Sequence, residues 1–197
     1  MNARKIKLGS KIRQFRKARR MSLKTMADRA AIAQSTLSKI ENDIISPGFD
    51  KVMAICHSLE IDITDLLQSA NRPDRGDQQP AARLAVTRKG DMTSIITDNY
   101  LSNYVCSSIS KKIMIPLIVD LKIRDGEEEG VELIRHQGEE FAYVLEGRVK
   151  LVLEHYEPVY LEEGDSAYFD SSMGHLYVNA GTGAARMIGV SLAMDED

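Results

Sequence analysis

At 197 residues, 43% of them hydrophobic, the chain has room for one large domain or two small ones with working cores, which excludes a disordered or fibrous protein. No apolar run approaches a membrane span, the basic opening "MNARKIKLGSKIRQFRKARR" lacks the apolar stretch of a signal peptide, and two cysteines, Cys56 and Cys106, are too few for a disulfide framework or a thiolate zinc site. A cytoplasmic protein in a reducing compartment is therefore expected. The net charge of -3 conceals a division: residues 1–68 hold 13 Lys/Arg against 7 Asp/Glu, residues 69–197 hold 13 against 22, and the first twenty residues carry nine basic groups and no acid. A positive head on an acidic body points to a polyanionic partner for the head alone.

In chain order, apolar residues first recur at spacings of three and four, which gathers them on one side of a helix. Leu8, Ile12 and Phe15 mark the first such segment, Leu23, Met26, Ala27 and Ala30 the second, Leu37 and Ile40 the third. Val52, Met53, Cys56 and Leu59 mark the fourth, and Ile63, Leu66 and Leu67 the last. Five short helices are predicted. "QSANRPDRGDQQPAAR", between Leu67 and Leu84, is polar, holds two prolines and a glycine, and has no periodicity, as a linker would.

Beyond it the period falls to two and β-branched and aromatic residues take over. "TSIIT", "NYVCSSI", "IPLIVDLKI", "EFAYVLEG", "RVKLVLEHY", "SAYFD", "LYVN" and "RMIGVSL" read as strands, with turns at "LEGR" and "EEGDS" and a solvated loop at "DGEEEG". Many short, closely spaced strands predict an antiparallel barrel or sandwich. The boundaries expected are 1–68 for the helical domain, 69–83 for the linker and 84–197 for the strand-rich domain, a multidomain α + β protein.

Within the head, "SLKTMADRAAIAQSTLSKIEN" has the layout of two helices joined by a tight turn. Ser22 can cap the first, Ala30, Ala31 and Ile32 make the turn, and Leu37 and Ile40 anchor the second. With those two pointing inward, Gln34, Ser35, Ser38 and Lys39 must point outward. Gln34 can pair bidentately with adenine, and Ser35, Thr36 and Lys39 can reach bases or phosphate. Arg13, Lys17, Arg19 and Arg20 supply nonspecific attraction to phosphate.

Over residues 8–67 the head resembles the Xre family of phage-repressor-like DNA-binding domains. The resemblance implies a double-stranded DNA operator as partner and places Asn42 where the family often touches phosphate. Two positions depart from the family's pattern: Leu23 stands where a polar residue often meets the DNA backbone, and Ala31 replaces the usual turn glycine. A solvated basic face on a plain helical bundle is the bland alternative.

In the strand-rich part, alternation puts Ile134, His136, Gly138 and Glu140 on one face. Glu140 lies seven residues before Gly147, and His175 four before Asn179. Residues 84–193 thereby resemble the two motifs of the cupin superfamily, which has a jelly-roll barrel. Carried over by that resemblance, His136, Glu140 and His175 match metal ligands, while Ile134 replaces a further histidine and Asp170 stands where proline is usual. Two imidazoles and a carboxylate suit iron(II), manganese or zinc. A pocket for an organic effector without metal, or a merely structural polar core, remain open alternatives. Tyr100, Tyr143, Tyr168 and Tyr177 are the candidate pocket aromatics, although strand aromatics more often belong to the core. His155 is expected to be exposed beside a turn, and His57 is assigned no role.

A helix-turn-helix followed by a cupin is also the architecture of one-component transcription factors, which implies a small-molecule effector and a homodimer on paired half-sites; no catalytic residue is assigned. The alternative is an enzyme. The same architecture resembles the hydroxypropylphosphonic acid epoxidases, which use mononuclear non-haem iron, and residues 99–120 resemble the strand bearing that family's substrate tyrosines. Only Tyr100 matches there, with Asn99 and Ser102 in place of others.

Overall fold

A computed structural model describes residues 4–5, 8–67, 84–109 and 112–192, so the expected linker at 69–83 lies outside the described residues. The chain divides into two compact units, Met1–Thr93 with Cys106–Lys111 and Ser94–Val105 with Lys112–Asp197.

The first unit contains a two-residue strand, β1 (Arg4–Lys5), and the five predicted helices: α1 (Gly9–Ala18), α2 (Leu23–Arg29), α3 (Gln34–Glu41), α4 (Phe49–Leu59) and α5 (Ile63–Leu67). Ser22 caps α2 as expected, its Oγ accepting the Thr25 N–H at 3.0 Å. Asp62 plays the same part for α5, accepting from Thr64 N–H at 2.7 Å. The apolar stripes meet in a core of Ile12, Met26, Leu37, Ile40, Val52, Ile55, Leu59 and Leu66, all buried. Burial of each such side chain contributes roughly 1.5–3 kcal/mol. The α2–α3 turn passes through Ala31 at φ +50°, the left-handed conformation that favours glycine over a residue with a Cβ.

Helix α1 lies close against the end of α3 because residue 9 has no side chain. A Cβ there would sit 2.3 Å from the Ile40 carbonyl oxygen. The same helix pair is locked by a buried ion pair. Arg16 Nε donates to Glu41 Oε1 at 2.6 Å, its Nη2 to Oε2 at 2.8 Å, and its Nη1 to the Met21 carbonyl at 2.9 Å.

The second unit is built on two sheets. Its larger sheet has the order β2-β3-β4-β10-β5-β8, formed by Thr93–Ile96, Tyr100–Tyr104, Met114–Leu121, Arg186–Leu192, Glu139–Glu146 and Ser166–Asp170. The smaller has the order β7-β6-β9, formed by Val159–Leu161, Val149–Leu153 and His175–Asn179. The strands pair antiparallel at β3–β4–β10–β5–β8 and β7–β6–β9. The non-sequential order, two sheets with crossovers between them, is the jelly-roll arrangement expected of the cupin resemblance, although the sheets do not join into one closed ring. The tight β5–β6 turn at Gly147 has φ +78°, and a Cβ there would meet the Ala184 carbonyl oxygen at 2.2 Å, so both backbone and space demand glycine.

Two strand expectations need correction. The segment read as a strand over 103–109 is strand only at its start, within β3 (Tyr100–Tyr104), because the chain turns at Cys106, φ +53°. Strand β7 was not foreseen. It is three residues long, and its first two side chains are exposed, so it offers no alternation to read.

Candidate DNA-reading helix and candidate metal centre

Helix α3 presents the side its sequence predicts. Leu37 and Ile40 are buried, Gln34, Ser35, Lys39 and Asn42 are exposed, and Thr36 and Ser38 are half-buried. No side chain caps its start at Ala33, so the first-turn amides and the positive end of the helix dipole are left for an external acceptor. At the other end the Asn42 amide donates to the Ser38 carbonyl at 2.8 Å and closes the helix. Arg13, Lys17, Arg19 and Arg20 are all exposed.

What sequence reasoning missed in this unit is the Arg16–Glu41 pair that fixes where α3 sits. Glu41 is the fourth residue after Leu37 and Arg16 the fourth after Ile12, so both fall on buried stripes. That spacing was the available signal, since two opposite charges on facing apolar stripes have to pair.

In the second unit, His136, Glu140 and His175 converge, with one donor atom from each lying within 4.8 Å of the others. Glu140 comes from β5, whose alternate residues Glu140, Ala142 and Val144 point inward. His175 opens β9. His136 does not share a strand with Glu140, as alternation alone suggested, because Gly138 turns at φ +100° and β5 begins only at Glu139.

The second motif holds His136 in place instead. Its N–H donates to the Ser171 carbonyl at 3.0 Å, and Ser171 returns an N–H at 3.0 Å and an Oγ–H at 2.8 Å to the Gly138 carbonyl. Ile134, the residue standing where a further ligand would be, contributes backbone. It forms a two-way bridge with His175, both bonds 2.9 Å. Asp170, standing where proline is usual, accepts the Ser172 N–H at 2.8 Å and so shapes the approach to His175. Arg135 faces away from the cluster and pairs with Glu154.

The cluster's hydrogen bonds define its chemistry. A carbonyl can only accept, so the 3.0 Å contact from His175 Nδ1 to the Met173 carbonyl puts a ring proton on Nδ1 and leaves Nε2 turned toward the cluster. His136 Nε2 lies 3.0 Å and His175 Nε2 3.9 Å from Glu140 Oε2. Glu140 also accepts from the Tyr177 hydroxyl at 2.6 Å and from the Ser191 hydroxyl at 3.0 Å. Burial pushes this carboxyl up, but the His136 hydrogen bond, the charge of His175 and the Tyr177 hydroxyl outweigh burial and hold it below its ordinary value. Two nitrogens and an ionised carboxylate, one imidazole already oriented by a backbone carbonyl, form a donor set that fits a divalent cation.

The four candidate tyrosines separate. Tyr177 joins the cluster, and burial beside the Glu140 charge raises its hydroxyl well above the usual range. Tyr100 is buried but spends its hydroxyl on backbone, donating to the Tyr177 carbonyl at 3.2 Å and accepting the Tyr177 N–H at 3.0 Å. Tyr143 and Tyr168 are corrections to the expected pocket: both are exposed on the outer face of the large sheet. With Glu140 inward, the residue three further along β5 must face outward, and Tyr168 is in register with the outward Phe141. His57 and His155 are exposed.

The likenesses to known proteins follow the same two-part division. Residues 9–72 match the model of a helix-turn-helix domain, and residues 121–191 that of a cupin domain. The chain joins a helix-turn-helix domain to a cupin domain. It is 21% identical over 180 residues to the HTH-type transcriptional regulator PuuR of Escherichia coli, covering 91% of each chain. In structure it is similar to an HTH_3 family transcriptional regulator from Vibrio cholerae, at 19% identity, TM-score 0.62 and 96% of both chains. It is also similar to hydroxypropylphosphonic acid epoxidase from S. wedmorenis, at 21% identity and TM-score 0.51, over 94% of this chain and 97% of that one. At these identities the two structural likenesses speak to fold. Among the described residues no helix is long and apolar enough to cross a membrane.

Proposed function

We propose that the chain is a sequence-specific DNA-binding transcriptional regulator whose cupin domain binds a small-molecule effector, a divalent metal ion, or both. One observation carries the reading: α3 keeps Leu37 and Ile40 in the core while Gln34, Ser35 and Lys39 stand free in solvent. A helix that presents short polar side chains and an uncapped N-terminus is built to enter a major groove. The regulator relatives support the same reading. Gln34, Ser35, Thr36, Ser38, Lys39 and Asn42 form the DNA surface, flanked by the phosphate-attracting Arg13, Lys17, Arg19 and Arg20.

A single head reads one half-site, so the protein acts as a homodimer in the cytoplasm on half-sites about one DNA turn apart. His136, Glu140 and His175 hold the cation, with iron(II), manganese and zinc the ions suited to that set. Tyr177 and Tyr100 lie beside it. An effector changes DNA affinity only through unequal affinity for two arrangements of the heads. Gel shift on DNA from the gene's own upstream region tests the regulator: a retarded band is expected, and no retardation of any sequence at low salt contradicts it. Metal analysis of the purified protein tests the cation, which His175→Ala should remove.

The three-donor set also favours a second reading, a mononuclear iron oxidase or epoxidase acting on a phosphonate. Its test is iron loading followed by oxygen-dependent turnover. Asn99 and Ser102, at positions where that family has tyrosines, count against it, and so does the unobstructed face of α3.

A further inference from the structure

We propose that Tyr177 and Ser191 are positioning residues of the His136–Glu140–His175 cluster, holding the Glu140 carboxylate so that one chosen oxygen faces both imidazoles. The inference rests on the reading of that cluster as a divalent-cation site. Its basis is the way Glu140 is clamped from two sheets. Ser191, the cross-strand partner of Glu140 on β10, donates to Oε2 at 3.0 Å from within the large sheet. Tyr177, on β9 of the small sheet, donates to Oε1 at 2.6 Å from the opposite side. All three side chains are buried.

The two donors leave the carboxylate oxygens unequal. Oε1 is turned to the short Tyr177 hydrogen bond, while Oε2 is the oxygen near His136 Nε2 and His175 Nε2, at 3.0 and 3.9 Å. A glutamate side chain otherwise samples many rotamers, and the clamp orders it in advance of binding. Tyr177 is itself fixed, since the Tyr100 hydroxyl takes its N–H and donates to its carbonyl. Hydrogen bonds from Tyr100 on β3 through Tyr177 on β9, and from Ser191 on β10, thus converge on Glu140 on β5, whose Oε2 is the atom offered to a cation.

The test uses the full chain, Tyr177→Phe, which keeps the packed ring, and Ser191→Ala. Zinc affinity is measured by competition with a chromophoric chelator, and the visible spectrum is recorded with cobalt(II). Each variant should bind zinc about 10-fold more weakly, the usual effect of losing an outer hydrogen bond to a ligand. Tyr177→Phe should also alter the cobalt band, because Oε1 is released. Thermal melts accompany both, since a purely structural role lowers the melting temperature and leaves affinity and spectrum alone. If the unaltered chain binds zinc and both variants match it within about twofold, with the cobalt spectrum unchanged, the clamp is refuted and the cation site stands. If the unaltered chain binds neither zinc nor cobalt, the cation site and the clamp fall together.

Discussion

Replacing Glu41 by alanine should nearly unfold the helical unit. Glu41 and Arg16 have side chains only 4% and 11% exposed, and they share two hydrogen bonds of 2.6 and 2.8 Å. Removing the carboxylate leaves a guanidinium buried with only the Met21 carbonyl as partner, a loss of about 3–5 kcal/mol for a pair broken on one side. A unit of this size is held by only about 3–9 kcal/mol in total. Most of its stability should therefore go, and operator binding with it, because the pair sets the seating of α3. Glu41→Gln keeps the shape and one acceptor and should lose less. The double replacement Arg16→Met with Glu41→Leu removes both charges and should recover most of the loss. Urea unfolding followed by helical circular dichroism measures each variant, and the single replacements Arg16→Met and Glu41→Leu, measured alongside the double and the unaltered chain, close a double-mutant cycle. A loss under about 1 kcal/mol for Glu41→Ala, the level of an exposed pair, would refute the reasoning.

Three further outcomes are expected. Ala31→Gly should stabilise the helical unit by about 1 kcal/mol, because residue 31 sits at φ +50° where a Cβ is strained; a lower melting temperature would contradict this. Gly147→Ala should destabilise the cupin domain by more than about 2 kcal/mol through its left-handed φ and the 2.2 Å approach to the Ala184 carbonyl, again read by thermal melting. Arg13→Ala and Lys17→Ala should each weaken binding on all DNA sequences alike and flatten the slope of log affinity against log salt by about one, whereas an unchanged slope would remove them from the phosphate surface.

Much of this was legible in the chain because each half follows its own period. Stripes at three and four, a serine before α2 and inward Leu37 and Ile40 gave the helices and the free side of α3 with no tertiary information. The jelly roll showed in alternation, yet alternation also misled. It placed His136 and Glu140 on one strand face, which the left-handed Gly138 breaks, so their convergence depends on Ser171, thirty-three residues beyond Gly138 in the chain. The pocket aromatics could have been sorted by parity: with Glu140 inward, Tyr143 is outward, while Tyr177 shares the side of His175. Short β7 and the Arg16–Glu41 pair are long-range products, visible locally only as an unremarkable Val-Tyr-Leu and as charges on stripes that should be apolar.

Helix α3 is expected to read bases directly. Fluorescence anisotropy of the full chain and Gln34→Ala, on labelled DNA from the gene's own upstream region and on a random duplex at one salt concentration, tests it most directly. Gln34→Ala should weaken binding to the specific duplex by about 1–3 kcal/mol and leave the random duplex nearly untouched. Equal losses on both duplexes, or an unchanged affinity for the specific one, would contradict it.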